Sequence, residues 1–230
     1  MKVVTQRCEW IQAPPVHTLQ VIERAGRTCY KSEEKITDSS AAAFVQRIMA
    51  SHHESVIEHV SASMLFVTDR GVTHEKVRHR IASYSQESTR YCNYCQEKFG
   101  SDVTFVLPVR FVPHVEFTSN GTPFMPKVNK LYTRLVRWLN AMDTAERAYK
   151  EDIVDGATPQ EARDFLPNSL KTEIVMTANM REWRHFFTLR CSPAAHPQMR
   201  DVALRALAMF RKDVPVLFDD LAAKFLAAKE

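Results

Sequence analysis

Glycine is scarce in this chain: five in 230 residues, at positions 26, 71, 100, 121 and 156, where about 7% would be ordinary. None falls in a GxGxxG or Walker pattern, so any bound phosphate must be held by side chains or helix N-termini. No run of 18 apolar residues occurs, which excludes a transmembrane helix. The first ten residues, MKVVTQRCEW, lack the apolar stretch of a secretory signal, so a cytoplasmic protein is expected. Cysteine is sparse and irregular, at 8, 29, 92, 95 and 191. An odd count without regular spacing argues against a disulfide framework. Cys92 and Cys95 form a lone CxxC with no second pair to complete a zinc ribbon, and they read as two reduced thiols. No G-x-S-x-G nucleophile motif is present. Neither sign of charge dominates: 31 basic and 27 acidic residues leave +4. That balance suits small anionic ligands and does not call for nucleic acid or a membrane surface.

Helical periodicity is plentiful. It predicts helices over 14–29, 39–51 (capped by Asp38), 72–82, 128–154, 180–190, 199–211 and 216–228. Thr158–Pro159–Gln160–Glu161 has the form of a capping box with proline at N1, opening a short helix to about Phe165. Ser61–Thr68 and Leu170–Ala178 read as strands, with a break at Asp69–Arg70–Gly71. Val103–Val112 is β-prone but demoted by Pro108, and Thr118–Pro126 reads as a connector around Asn120–Gly121. With no linker in evidence, the expectation is one α+β domain over 1–230: a twisted, mostly antiparallel sheet flanked by helices.

The densest polar stretch is Arg78–Tyr91, RHRIASYSQESTRY. On a helix, Arg78, His79 and Arg80 would point in three directions about 100° apart. Only Val77 and Ile81 would make an apolar i,i+4 pair. Such a helix is either a solvated surface element or wedged between several partners. Beyond it, an extended segment would put Gln86, Ser88 and Arg90 on one face, with Glu87 and Thr89 on the other. That donor–acceptor row suits a polar heterocycle bearing a phosphate. A second cluster is Asn179–Arg190, NMREWRHFFTLR, where Arg181, His185 and Leu189 would share one helix face. A core helix with surface arginines would carry the same residues.

His52–His59, HHESVIEH, invites a metal, but the spacing opposes it. An H-E-x-x-H frame from His53 needs histidine where Ile57 stands. An H-x-x-E-H frame ending at His59 needs it where Ser55 stands. No metal is expected.

Arg78–His79–Arg80, seven residues, then Ser88 resembles the RHR-x7-S signature of the flavin-dependent thymidylate synthases. Further segments follow in the family's order. His53–His59 resembles its H-E-[ST]-x-x-E-H block, and Ala162–Pro167 its A-R-x-x-L-P block. Asn179-x-Arg181, Leu189–Arg190 and His196-x-Gln198 resemble its C-terminal ligand-binding block. The resemblance spans roughly residues 17–210. It implies an enzyme that converts dUMP to dTMP without a cysteine nucleophile. The methylene would come from 5,10-methylenetetrahydrofolate and the hydride from reduced FAD, which NADPH regenerates. It also implies a homotetramer with active sites where subunits meet.

Carried over by motif position, Arg190 is the catalytic residue, touching uracil and favouring ionisation at N3. Glu75, Lys76, Val77, Arg78, Gln86, Glu87, Ser88, Thr89, Arg90 and Arg163 would join it in holding dUMP. His53, Ser55, Arg78, His79, Arg80, Asn179, Met180, Arg181 and His185 would hold FAD. Position 75 is Glu where some members have Gln, position 185 is His where others have Asn, and position 55 is Ser for Thr. Two other readings of the residues remain. One is a nucleotide- or RNA-binding protein using the basic Arg78–Tyr94 region and its tyrosines. The other is a metal-dependent hydrolase using His52, His53 and His59.

Overall fold

The periodic segments fold as helices because each has one apolar face to bury. A computed structural model describes residues 1–118, 121–127 and 129–227. In chain order the elements are β1 (Lys2–Val4), β2 (Arg7–Gln12), α1 (Thr18–Tyr30), α2 (Ser40–Ala50), β3 (Ser61–Asp69), α3 (Arg70–Lys76), β4 (Ala82–Gln86) and β5 (Thr104–Val106). They continue with β6 (Glu116–Phe117), β7 (Pro123–Phe124), α4 (Tyr132–Val154), α5 (Pro159–Ala162), β8 (Lys171–Asn179), α6 (Met180–Arg190), α7 (Pro197–Asp213) and α8 (Pro215–Phe225). One sheet has the order β2-β3-β8-β4, and two-stranded pairs join β1 to β5 and β6 to β7. The α+β expectation holds, and the strands are mostly antiparallel. The β1–β5 pair is parallel, with Lys2 opposite Thr104. Parts of the readings over 118–126, 128–154 and 216–228, at Asn120, Val128 and Ala228, lie outside the described residues.

The chain divides into two compact units. Unit 1 is Met1–Arg7, Val67–Lys76 and Ser85–Ile174; unit 2 is Cys8–Phe66, Val77–Tyr84 and Val175–Glu230. No helix among the described residues is long and apolar enough to cross a membrane.

In unit 1, α4 serves two apolar clusters. Met142 and Tyr149 pack with Tyr94, Val103, Phe105, Ala162 and Leu170. One end of the helix places Leu135 with Val3, Leu107, Phe111 and Met125. Glu146, buried on the same helix, accepts the Val103 N–H at 3.0 Å, so its carboxylate is not left bare. The capping box at Thr158 forms, with Glu161 accepting the Thr158 backbone N–H at 2.8 Å. At 69–71 the expected break is instead a helix start: the Asp69 carboxylate accepts the Val72 N–H at 2.7 Å and caps α3.

In unit 2, α6 turns Trp183, Phe186 and Phe187 inward. All three are fully buried, with Phe210 of α7 and Phe218 of α8. Trp183 also donates its indole N–H to the Ala62 carbonyl of β3 at 3.2 Å. On α2 Ala41, Phe44, Val45 and Ile48 are buried and Met49 is half-buried. Asp38 is not its cap. The N-cap position is Ser39, and the Ser40 hydroxyl bonds Thr37 and the Glu23 carboxylate of α1.

Gly26 lets α1 approach α2: a Cβ there would stand 2.7 Å from two ring carbons of Phe44. Gly26→Ala would gain about 1 kcal/mol of helix propensity, but overpacking against a held ring costs about 1–3 kcal/mol. The ring is 7% exposed and carries the Arg27 guanidinium 4.8 Å above it. The expected result is a lower urea midpoint for Gly26→Ala; a higher one would show that Phe44 yields freely.

Candidate functional site

The RHR segment is not helical. α3 stops at Lys76, and Val77–Ile81 forms a turn and irregular backbone leading into β4. The cause is tertiary. Val77 and Ile81 offer the helix little, whereas His79 is 4% exposed and held on several sides within unit 2. Its Nδ1 lies 2.9 Å from Glu182 Oε1, and its Nε2 accepts the Arg190 Nε–H at 3.1 Å. Its carbonyl accepts the Tyr84 hydroxyl at 2.9 Å. The Phe186 ring stands edge-on at 5.1 Å and the His185 ring at 5.6 Å. Burial pushes the Tyr84 phenol up, keeping it a donor, and burial also pushes the Glu182 carboxyl up, with His185 opposing.

The α6 helix presents this cluster. The Asn179 side chain caps it by accepting the Glu182 N–H at 2.9 Å. Beside it lies a cavity of about 500 Å³ lined by Glu54, Glu58, Ile81, Asn179, Arg181, Glu182, Arg184, His185 and Thr188. Two arginines on its wall differ in role. Arg184 is buried and grips Asp220 at 2.8 and 2.7 Å and the Leu217 carbonyl, so it ties α6 to α8. Arg181 is half-exposed and meets Glu58 at 2.6 Å at the surface, where an ion pair is worth little and can be exchanged.

Among the predicted cofactor residues, His53, Ser55, Arg78, Arg80, Arg181 and His185 are exposed. Met180 is buried, with its N–H given to the Val60 carbonyl. His196 caps α7 by accepting the Gln198 N–H at 3.3 Å.

Donor atoms of His79, Glu182 and His185 lie within 4.8 Å of one another, close enough for a metal. Both nitrogens of His79 are already engaged, one by a guanidinium. A divalent cation there would have to work against that charge.

Unit 1 holds the other predicted group. The extended segment expected beyond the RHR stretch ends at Gln86; Tyr91 and Cys92 turn back to bond the Ser88 carbonyl. The expected alternation of faces therefore stops there. Gln86 donates to the hydroxyls of Thr73 (3.1 Å) and Thr172 (3.3 Å). The Glu87 carboxylate takes the Tyr94 hydroxyl at 2.7 Å and Lys171 at 3.1 Å, while its N–H goes to the Glu173 carbonyl, so Glu87 braces the turn. Burial pushes the Tyr94 phenol up. Lys76 is fully buried and Thr89 nearly so. Ser88 and Glu75 are half-buried, and Arg90 and Arg163 are exposed. Val77, in unit 2, is exposed.

Three of the thiols are poor nucleophiles. Cys191 is fully buried and burial pushes it up to about 12. Burial also raises Cys92 and Cys95.

Sequence reasoning missed Glu182, Glu54 and Glu58 as partners. Asn179-x-x-Glu182 carries a signal, but that of a helix start, in which the Glu would return to the cap backbone. Its carboxylate goes to His79 instead.

Residues 16–216 match the family described as thymidylate synthase complementing protein. A flavin-dependent thymidylate synthase of Geobacter sulfurreducens is 34% identical over 203 residues, covering 85% of this chain and 78% of that protein. One from Pyrococcus abyssi is also 34% identical, covering 79% of this chain and 67% of that protein. Among solved structures, the UMP/dUMP methylase PolB from Streptomyces cacaoi, bound with 5-Br dUMP, has a TM-score of 0.75. It covers 98% of each chain at 22% identity, a likeness of fold.

Proposed function

Since the chain belongs to the flavin-dependent thymidylate synthase family, we infer that it converts dUMP to dTMP by reductive methylation. The methylene carbon comes from 5,10-methylenetetrahydrofolate, and no cysteine nucleophile is needed. Bound FAD would supply the hydride and NADPH would reload it. The residues of unit 2 fit such a cofactor. Its pyrophosphate calls for cationic side chains where glycine loops are absent, and Arg78, Arg80, Arg181, His53 and His185 are exposed. Ser55 and Asn179 add hydrogen-bonding groups, and His79 and Met180 shape the wall. Arg181 would exchange Glu58 for the cofactor's anionic groups.

The observation that carries the reading is Arg190, a permanent cation held by its Nε at His79. A guanidinium against uracil stabilises the anion that forms when N3 ionises, which makes C5 the better carbon nucleophile. Gln86, Ser88, Thr89, Arg90 and Arg163, with Arg78, are assigned to dUMP; Glu75, Lys76, Val77 and Glu87 shape that segment. Exposed Val77, Ile81 and Leu189 fringe the RHR and α6 residues. This apolar surface supports a homotetramer whose subunits cover it. We place the protein in the cytoplasm, where NADPH and reduced thiols are maintained.

The direct test is dTMP formation from dUMP, methylenetetrahydrofolate and NADPH by the FAD-loaded protein. Absence of product under anaerobic conditions would reject the reading. Two residue-level results follow. Arg181→Ala should purify with less flavin than wild type; an equally yellow variant would contradict its cofactor role. Alkylating the accessible thiols of the native protein, exposed Cys29 first, should leave turnover within about twofold, because buried Cys191 escapes the reagent and no thiol takes part in the reaction. Abolition by alkylation would point to a thiol in the reaction.

A further inference from the structure

We propose that Glu182 is a positioning residue for Arg190, acting through the proton of His79. The proposal rests on the reading of Arg190 as the uracil-facing cation. A neutral imidazole has one N–H and one lone pair. Arg190 can only donate, and its Nε lies 3.1 Å from His79 Nε2. The lone pair is therefore on Nε2 and the proton on Nδ1. Glu182 Oε1, 2.9 Å from Nδ1, accepts that proton.

Further holds on His79 include the Tyr84 hydroxyl on its carbonyl and the rings of Phe186 and His185. They set where the ring sits but not which nitrogen carries hydrogen. Glu182 favours the tautomer that Arg190 needs. Without it, the buried Nδ1–H loses that acceptor, and the proton is freer to move to Nε2. Two N–H groups would then face each other, and Arg190 would lose the bond that aims it. Glu182 can serve because the Asn179 side chain caps α6, which releases the Glu182 carboxylate from the helix end.

The test uses the FAD-loaded enzyme and two substitutions. Glu182→Leu removes the acceptor; Glu182→Gln keeps a carbonyl oxygen for the Nδ1–H. Glu182→Leu is expected to lower kcat about 10–100-fold, by analogy with removal of the group that orients a metal-bound histidine. Glu182→Gln should recover to within about threefold, since it restores the same bond. In an Arg190→Ala background Glu182→Leu should cost nothing further, because the coupled effect is already lost. A structural role alone would persist in that background.

Wild-type kcat in Glu182→Leu, an equal loss in Glu182→Gln, or an undiminished loss in the Arg190→Ala background would each overturn the proposal. If Glu182→Leu does not fold, nitrogen-15 NMR of His79 in the wild-type enzyme decides. The Nδ1–H tautomer supports the proposal and the Nε2–H tautomer overturns it. Arg190→Ala by itself separates the two levels. If it stays active, the reading of Arg190 fails; if it is inactive while Glu182→Leu is normal, only the positioning role fails.

Discussion

Arg190→Ala is expected to lose turnover by at least about 10²–10³-fold, the usual loss when one preorganised group facing developing charge is removed. Flavin should stay bound. The separation follows from the geometry. Arg190 is the last residue of α6, and its Nε–H is anchored at His79, whereas the exposed cations Arg78, Arg80 and Arg181 are assigned to the cofactor. Deleting the Arg190 side chain leaves the His79–Glu182 bond and the Asn179 cap in place, so the cofactor wall survives. Single-turnover dTMP formation, with flavin content read on the same sample, checks both halves. Retained activity would remove Arg190 from the chemistry. Loss of flavin together with activity would move it to cofactor binding.

Trp183→Ala should be the most damaging single change to stability, at about 3–5 kcal/mol. The ring is fully buried. Its centroid lies 4.8 Å from Phe210, 5.6 Å from Phe186, 5.8 Å from Phe187 and 6.3 Å from Phe66. Four aromatic neighbours cannot all collapse into the space left behind, and the Ala62 carbonyl loses its donor. Chemical denaturation gives the value; a loss under about 1 kcal/mol would mean the cluster repacks. The same substitution bears on function. Trp183 holds α6 down on β3, and α6, capped by Asn179, carries Arg181, Glu182, His185 and Arg190.

Most helices were legible because their apolar faces repeat locally. The Thr158–Glu161 box was legible because every group it needs lies within four residues. The short strands β1, β6 and β7 were not, whereas β5 falls inside the β-prone stretch 103–112. β1 exists only by pairing with β5, a hundred residues away, and no local pattern announces that. The RHR segment was misread as helical for a related reason. What pulls His79 out of a helix is Glu182 and Arg190, more than a hundred positions later. The residue types of the candidate site were legible only through the family signature. Composition and spacing pointed to a polar, arginine-rich surface and did not separate Arg181, exchangeable at the surface, from Arg184, locked to Asp220. Glu182 was hidden by its position, since the third residue of a helix is an ordinary place for an acid.

The central claim of the proposed function is that the protein binds flavin and dUMP together. The visible absorption spectrum of the FAD-loaded protein, recorded before and after adding dUMP, tests it most directly. Oxidised flavin bands near about 370 and 450 nm should be present and should shift when dUMP binds, as stacking and charge beside the ring change its surroundings. A protein that stays colourless after incubation with FAD, or bound flavin whose bands ignore saturating dUMP, would contradict the account.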